Sequence, residues 1–243
     1  MVIFDDLEAE QERLQRILNR LDEAQWASPS GAAGWTVADV VLHLAQSEEA
    51  VVASTAGISL GAPQGFGATV DEVMNQLVQA ERAAPTPVFE RWLRARLRAV
   101  AALRTADPQQ PLSWVEAPLK PATLATTRLA EHWAHGLDIT GPLGIDFPDT
   151  VRLRHIAWLA HRSLPYAFAL TGENPHEVCC ELTAPDGATR WTYGSADADS
   201  TITGPAGTFC RVAAQRLAPE QSGLHTTGPH GATALHILRT YAA

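Results

Sequence analysis

The sequence predicts a mainly α protein, a four-helix bundle at residues 1–170 followed by a small α+β domain at 171–243. Three observations carry this. Apolar residues recur at three-to-four spacing through the first two thirds, as in Leu7, Leu14, Ile17, Leu18 and Leu21. Helix-start signals precede such stretches, with Thr36 followed by Asp39 and Thr69 followed by Glu72. After Gly172 the pattern changes to short β-rich runs around an Asp186-Gly187 turn.

Taken in order, the first helix is expected from Phe4 to Trp26, with Glu and Arg on its outer face, broken by Pro29, Gly31 and Gly34. The second opens at Thr36, buries Val37, Val40, Val41 and Leu44, and ends near Gly57. A third opens at Thr69, is interrupted at Pro85 and Pro87, and resumes from Val88 to Arg104 with Phe89, Trp92, Leu93 and Leu97 inward. Pro121 suits the first turn of a helix covering Thr123 to Leu137, stopped by Gly141 and Pro142. A fifth, Asp149 to Leu170, leads out of the bundle. Beyond it, Val178–Leu182 and Thr189–Tyr193 read as a hairpin, Thr201–Thr203 and Leu224–Thr227 as short strands, and Phe209–Leu217 and Ala232–Tyr241 as helices.

Composition bounds the function. The 243 residues carry 18 basic and 27 acidic side chains, a net charge of −9. With no basic run, nucleic acid is an unsuitable partner, because its binding depends on neutralising phosphates. No apolar stretch approaches the ~20 residues of a spanning helix, and Asp5, Asp6 and Glu8 stand where a signal peptide would be basic, so neither membrane nor export is expected. Cys179, Cys180 and Cys210 make an odd count without a disulfide framework, and the expectation is buried thiols in a cytoplasmic protein. Lys120 is the single lysine, a bias that fits GC-rich coding.

Familiar nucleotide and hydrolase motifs are absent: Gly65-Phe66-Gly67 lacks the third glycine of a dinucleotide loop, and there is no P-loop or G-x-S-x-G elbow. The informative segment is Arg128 to Asp138. Glu131 and His135, at i and i+4, share a helix face, with Arg128 and Asp138 one turn to either side. Such a pair is either an exposed helix contact or half of a divalent-metal site. His43, on the apolar stripe of the second helix, is either a core histidine or a third ligand facing the same interior. Facing helices of a bundle are where metal sites are built, and two imidazoles with one carboxylate leave positions open for water or substrate.

The run Gly34-Trp35-Thr36-Val37-Ala38-Asp39-Val40-Val41-Leu42-His43-Leu44, followed by Glu131-x-x-x-His135 and Asp138, resembles the DinB-like metal-binding bundles. It is most similar to their mycothiol-dependent maleylpyruvate isomerase branch. Trp133-Ala134-His135-Gly136, Ile202-Thr203-Gly204-Pro205, Phe209-Cys210 and Gln215-Arg216 look like a largely uncharacterised subgroup with a small α+β C-terminal domain. The resemblance implies a divalent metal, usually zinc, on His43, Glu131 and His135. It also implies a low-molecular-weight thiol, mycothiol, held as thiolate for isomerisation or conjugation, since a coordinated thiol is deprotonated near neutral pH. Leu137, at a commonly polar position, and Ala234-Leu235-His236-Ile237, where an aromatic is usual, depart from the subgroup.

The first functional expectation is therefore a metal-dependent, thiol-using isomerase or S-transferase acting on a small electrophilic metabolite. A second keeps the metal without the thiol and performs a rearrangement or cyclisation in a specialised biosynthetic pathway. A third is a binding protein with a vestigial site. Arg128 is a candidate anchor for a carboxylate or else part of a salt bridge, and Asp138 a candidate orienting partner of His135. Trp35 is expected to staple the second helix, His132 and Trp133 to pack, and Arg211 and Arg216 to face solvent or a cleft. The partner is a small molecule, and the chain a monomer or homodimer.

Overall fold

The computed structural model describes residues 2–58, 69–115 and 117–240. Gly65-Phe66-Gly67 lies outside them. The fold is mainly α with a small sheet, and it divides into two compact units at Phe147/Pro148.

The first unit holds α1 (Val2–Leu18), the short α2 (Glu23–Ala27), α3 (Val37–Thr55), α4 (Val70–Glu81), α5 (Pro85–Thr105) and α6 (Pro121–Leu143). The four long helices α1, α3, α5 and α6 form the bundle, with α3 lying along α5 and α1 along α6. Leu14, Leu18, Val37, Val40, Val41, Leu44, Val88, Trp92 and Ile139 form one core cluster.

Several helix ends differ from the sequence reading, each for a local reason. The first expected helix is two, because Asp22 starts a new one through a capping box with Gln25. The break expected at Pro85 and Pro87 falls just before these prolines, between Glu81 and Pro85. The prolines stand in the first turn of α5, where amide donors have no intrahelical partner to lose. Gly141 and Pro142 do not stop α6; it runs on to Leu143 and is capped by Gly144 in the left-handed region, at φ 64°. Proline at 142 offers no N–H to the carbonyl four residues back, which is that of Asp138. That oxygen instead accepts the Gly31 N–H at 2.7 Å.

The start of α3 is fixed by Asp39. Its carboxylate accepts from the Thr36 N–H and hydroxyl, each at 2.9 Å, while Thr36 Oγ1 accepts the Asp39 N–H at 3.2 Å. Arg82 donates to both Asp39 oxygens, at 2.8 and 2.9 Å. Asp39→Ala removes all of these carboxylate bonds and should lower unfolding stability by about 1–2 kcal/mol, measured by denaturant titration.

The second unit contains α7 (Leu153–Arg162), α8 (Leu164–Leu170), β1 (Val178–Thr183), β2 (Arg190–Tyr193), β3 (Ser200–Pro205), α9 (Ala206–Ala213), β4 (His225–Thr227) and α10 (Gly231–Ile237). The sheet order is β2-β1-β3-β4. β1 pairs antiparallel with β2 across the Asp186-Gly187 turn and parallel with β3, which pairs antiparallel with β4. Segment 149–170, read from sequence as the helix leaving the bundle, is two helices here and groups with the sheet. α7 packs on α9, and Tyr193 on β2 donates its hydroxyl to the Arg154 carbonyl at 2.8 Å. Cys179, Cys180 and Cys210 are buried in this unit, and burial raises all three thiol pKa values, Cys180 to about 12. Arg211 closes a two-pronged contact on Asp149, at 2.8 and 2.9 Å, and Arg216 donates to the Ala214 carbonyl. Among the described residues no helix is long and apolar enough to cross a membrane.

Candidate metal centre

The capped start of α3 places His43 two turns into the bundle, and α6 brings Glu131 and His135 to meet it. His43 Nε2 lies 3.6 Å and His135 Nε2 3.4 Å from Glu131 Oε2, and all three atoms fall within 4.8 Å of one another. Ligand atoms around a tetrahedral cation at about 2.0–2.1 Å stand about 3.3–3.4 Å apart, so the spacing suits one zinc-sized ion. The two imidazole side chains are 10% exposed and the Glu131 side chain 25%, so the opening of the site is on the carboxylate side.

Electrostatics prepare the same atoms. Burial alone would raise the Glu131 pKa, but hydrogen bonds from His135 and His43 and the charge of Arg128 outweigh it and hold the carboxyl well below its usual range. Burial pushes His43 below the ordinary imidazole value, against the pull of Glu131. For His135 burial acts in the same sense, but Asp138 and Glu131 prevail and raise it. The His135 Nδ1–H donates to Asp138 Oδ2 at 2.9 Å, which makes Nε2 the nitrogen turned to Glu131 and the one that a cation would take in place of its proton.

Asp138 thus does two things from one residue: its carboxylate orients His135, and its carbonyl holds Gly31. The fit is close, since a Cβ at Gly31 would lie 3.1 Å from both Asp138 Cα and Oδ1. This docks the 28–36 loop on α6 and sets Trp35 over the site. Its indole stands 5.1 Å from the His43 ring and 6.3 Å from the His135 ring, near-parallel to the latter, and its Nε1–H donates to Asn75 Oδ1 at 3.0 Å. Trp35 therefore does more than staple a helix: it walls both imidazoles. Gly136, beside His135, admits Phe147 directly against α6; a Cβ there would meet the Phe147 ring at 2.5 Å.

Of the expected site residues, the structure brings together His43, Glu131, His135 and Asp138. Arg128 lies one turn away and pairs with a residue that the sequence did not single out. Its Nε donates to Glu48 Oε1 at 3.2 Å, with both side chains almost wholly buried, while Arg128 Nη2 and Glu48 Oε2 find no hydrogen-bond partner among the described residues. The Arg128 guanidinium carbon stands 5.7 Å from the Trp114 ring centre. His132 faces the bundle interior, away from the triad: its Nδ1–H donates to the Arg128 carbonyl at 2.8 Å and its Nε2 accepts the Trp92 indole N–H at 3.2 Å. Accepting from Trp92 requires the neutral ring, and burial, then the Arg128 charge, lowers its pKa to about 3. Glu48 carries one clue in sequence: it follows His43 by five residues in an otherwise apolar stripe. Trp35 and Gly31 carry none beyond their helix-breaking neighbourhood.

A bundle whose second and fourth long helices close two imidazoles on one carboxylate is of the DinB-like class. Within that class the chain belongs to the family of the mycothiol maleylpyruvate isomerase N-terminal domain, whose profile matches residues 7–140. It is 33% identical over 98% of its length to the uncharacterized protein Rv0036c of Mycobacterium tuberculosis strain H37Rv, covering 94% of that protein, and equally to its counterpart in strain CDC 1551 / Oshkosh. The fold is that of crystal structures of the mycothiol-dependent maleylpyruvate isomerase and of a mutant of it, each with TM-score 0.62 and 15% identity, over 93% of this chain and 95% of that one.

Proposed function

We propose that the protein is a metal-dependent, thiol-using enzyme, an isomerase or S-transferase acting on a small electrophilic metabolite, with His43, Glu131 and His135 holding zinc or a similar divalent cation. The observation that carries this is the convergence of two imidazole Nε2 atoms and one ionised carboxylate at ligand spacing, in a chain of this family. The donor set fits the cation: one carboxylate already ionised, one imidazole kept neutral by burial, and one with its tautomer set by Asp138. When bound, the cation supplies the Lewis acidity that lets a coordinated thiol lose its proton near neutral pH.

The chain's own residues do the rest. Asp138 holds the His135 ring by Nδ1 and so keeps Nε2 pointed inward. Trp35 covers one side of both imidazoles and limits water there. Arg128, with Nη2 still available, is the polar contact for an anionic group of thiol or substrate. The thiol comes from outside the chain, because Cys179, Cys180 and Cys210 are buried with raised pKa values. Mycothiol is the thiol named for the family and is the first to test.

With zinc present, mycothiol at a hundredfold excess over its Kd should stabilise the protein by about 3 kcal/mol, a melting-temperature rise of several degrees. The shift should vanish in His43→Ala. A zinc-loaded wild type that shows no shift would turn the reading to a thiol-free rearrangement or cyclisation. A wild type that takes up no divalent metal would turn it to a binding protein or a metal-free rearrangement catalyst.

A further inference from the structure

Arg128 and Glu131 are three residues apart on one face of α6, a spacing at which a guanidinium and a carboxylate ordinarily pair. They do not pair here. The Glu131 carboxylate is turned to His43 and His135, and the ion pair of Arg128 is with Glu48 of α3. Glu48 is fully buried and Arg128 is 4% exposed, so this contact is made at the cost of desolvating two charges. A four-helix bundle could fill the same space with apolar side chains, often at no loss of stability. A bundle that must keep Arg128 near an open carboxylate has another need, which is to stop the guanidinium from occupying it.

We infer that Glu48 is a positioning residue for the metal centre: it holds the Arg128 guanidinium off Glu131 and so keeps that carboxylate free for a cation. Arg128 stays close enough for its charge to favour ionised Glu131. Two neighbours fix the arrangement. The Arg128 carbonyl is engaged by His132 Nδ1–H, and His132 is tied in turn to Trp92 of α5, so the turn carrying Arg128 is held against α3 and α5. Arg96 of α5, almost wholly buried, adds a positive charge that acts on Glu48. The inference rests on the metal assignment proposed above.

The test compares zinc affinity, by competition with a chromophoric chelator, in the full-length wild type, Glu48→Gln, Arg128→Met and the double variant, alongside the melting of each metal-free protein. Glu48→Gln should bind zinc 10–100-fold more weakly, the range seen when a residue supporting a ligand is lost. Arg128→Met should bind within about twofold of wild type, and the double variant should recover to the same level, because without Arg128 there is nothing to hold away. Wild-type affinity in Glu48→Gln would overturn the inference, whatever its melting temperature. So would a double variant as weak as Glu48→Gln. If Glu48→Gln fails to fold, the other two decide, and a tenfold loss in either overturns it. Should wild type bind no zinc, the proposed function fails first. The crystal structure of Glu48→Gln then judges the inference alone, with Arg128 expected within about 4 Å of the Glu131 carboxylate.

Discussion

His135→Ala should weaken zinc binding on the order of a thousandfold or more, since it would remove one of the three proposed ligands from an ion whose affinity comes from few strong bonds. His43→Ala should do the same, and the combination should leave no metal after dialysis. Asp138→Asn is the graded control. It keeps the shape but loses the charge-assisted acceptor for His135 Nδ1–H, and should cost 10–100-fold. Metal content by mass spectrometry and affinity by chelator competition check all three. Near-stoichiometric zinc persisting in the doubly substituted protein would remove His43 and His135 from the site.

The second large effect is in pH. His132 is fully buried and neutral, with its pKa lowered to about 3 against about 6.5 in an unfolded chain. Between these values the unfolded chain binds a proton that the folded one refuses, so stability falls as pH drops from about 6.5 towards 3. At 1.36 kcal/mol per unit the full loss is at most about 5 kcal/mol. His132→Gln cannot titrate. In metal-free protein the stability difference between wild type and His132→Gln should therefore be largest above pH 6.5 and should shrink as pH falls to 4, read from denaturant midpoints. Parallel curves for the two proteins would refute the role given to His132.

The fold was legible where the pattern was local. The capping boxes at Thr36 and Thr69 start α3 and α4 as expected, and the Asp186-Gly187 turn joins β1 to β2. The errors lie at prolines. The sequence reading put a break at Pro85 and Pro87, where a missing N–H removes nothing because they open α5, and a stop at Pro142, whose missing bond to the Asp138 carbonyl is replaced by the Gly31 N–H. The extent of the bundle was misjudged for a different cause: the apolar face of 153–160 shows that the segment is buried, not what it is buried against.

In the site the same division holds. Glu131 and His135 are four apart, so helical geometry alone puts them together, and His43 was visible as a polar residue in an apolar stripe. Nothing in the sequence says that Glu48 crosses to Arg128, because that contact spans 80 residues and depends on how α3 meets α6. Trp35 over the imidazoles likewise follows from the docking of a loop, which no periodicity encodes.

The carbonyl of Asp138 has one further implication, for motion. Because Pro142 leaves that oxygen without a helical donor, releasing the Gly31 N–H requires no unwinding of α6. Any opening of the 28–36 loop would carry Trp35 with it, while both imidazoles kept their places on the helices. The Gly31 amide is thus a natural clock for the opening of the site. Its hydrogen-exchange rate measures how often the indole leaves, separately from how often the bundle unfolds.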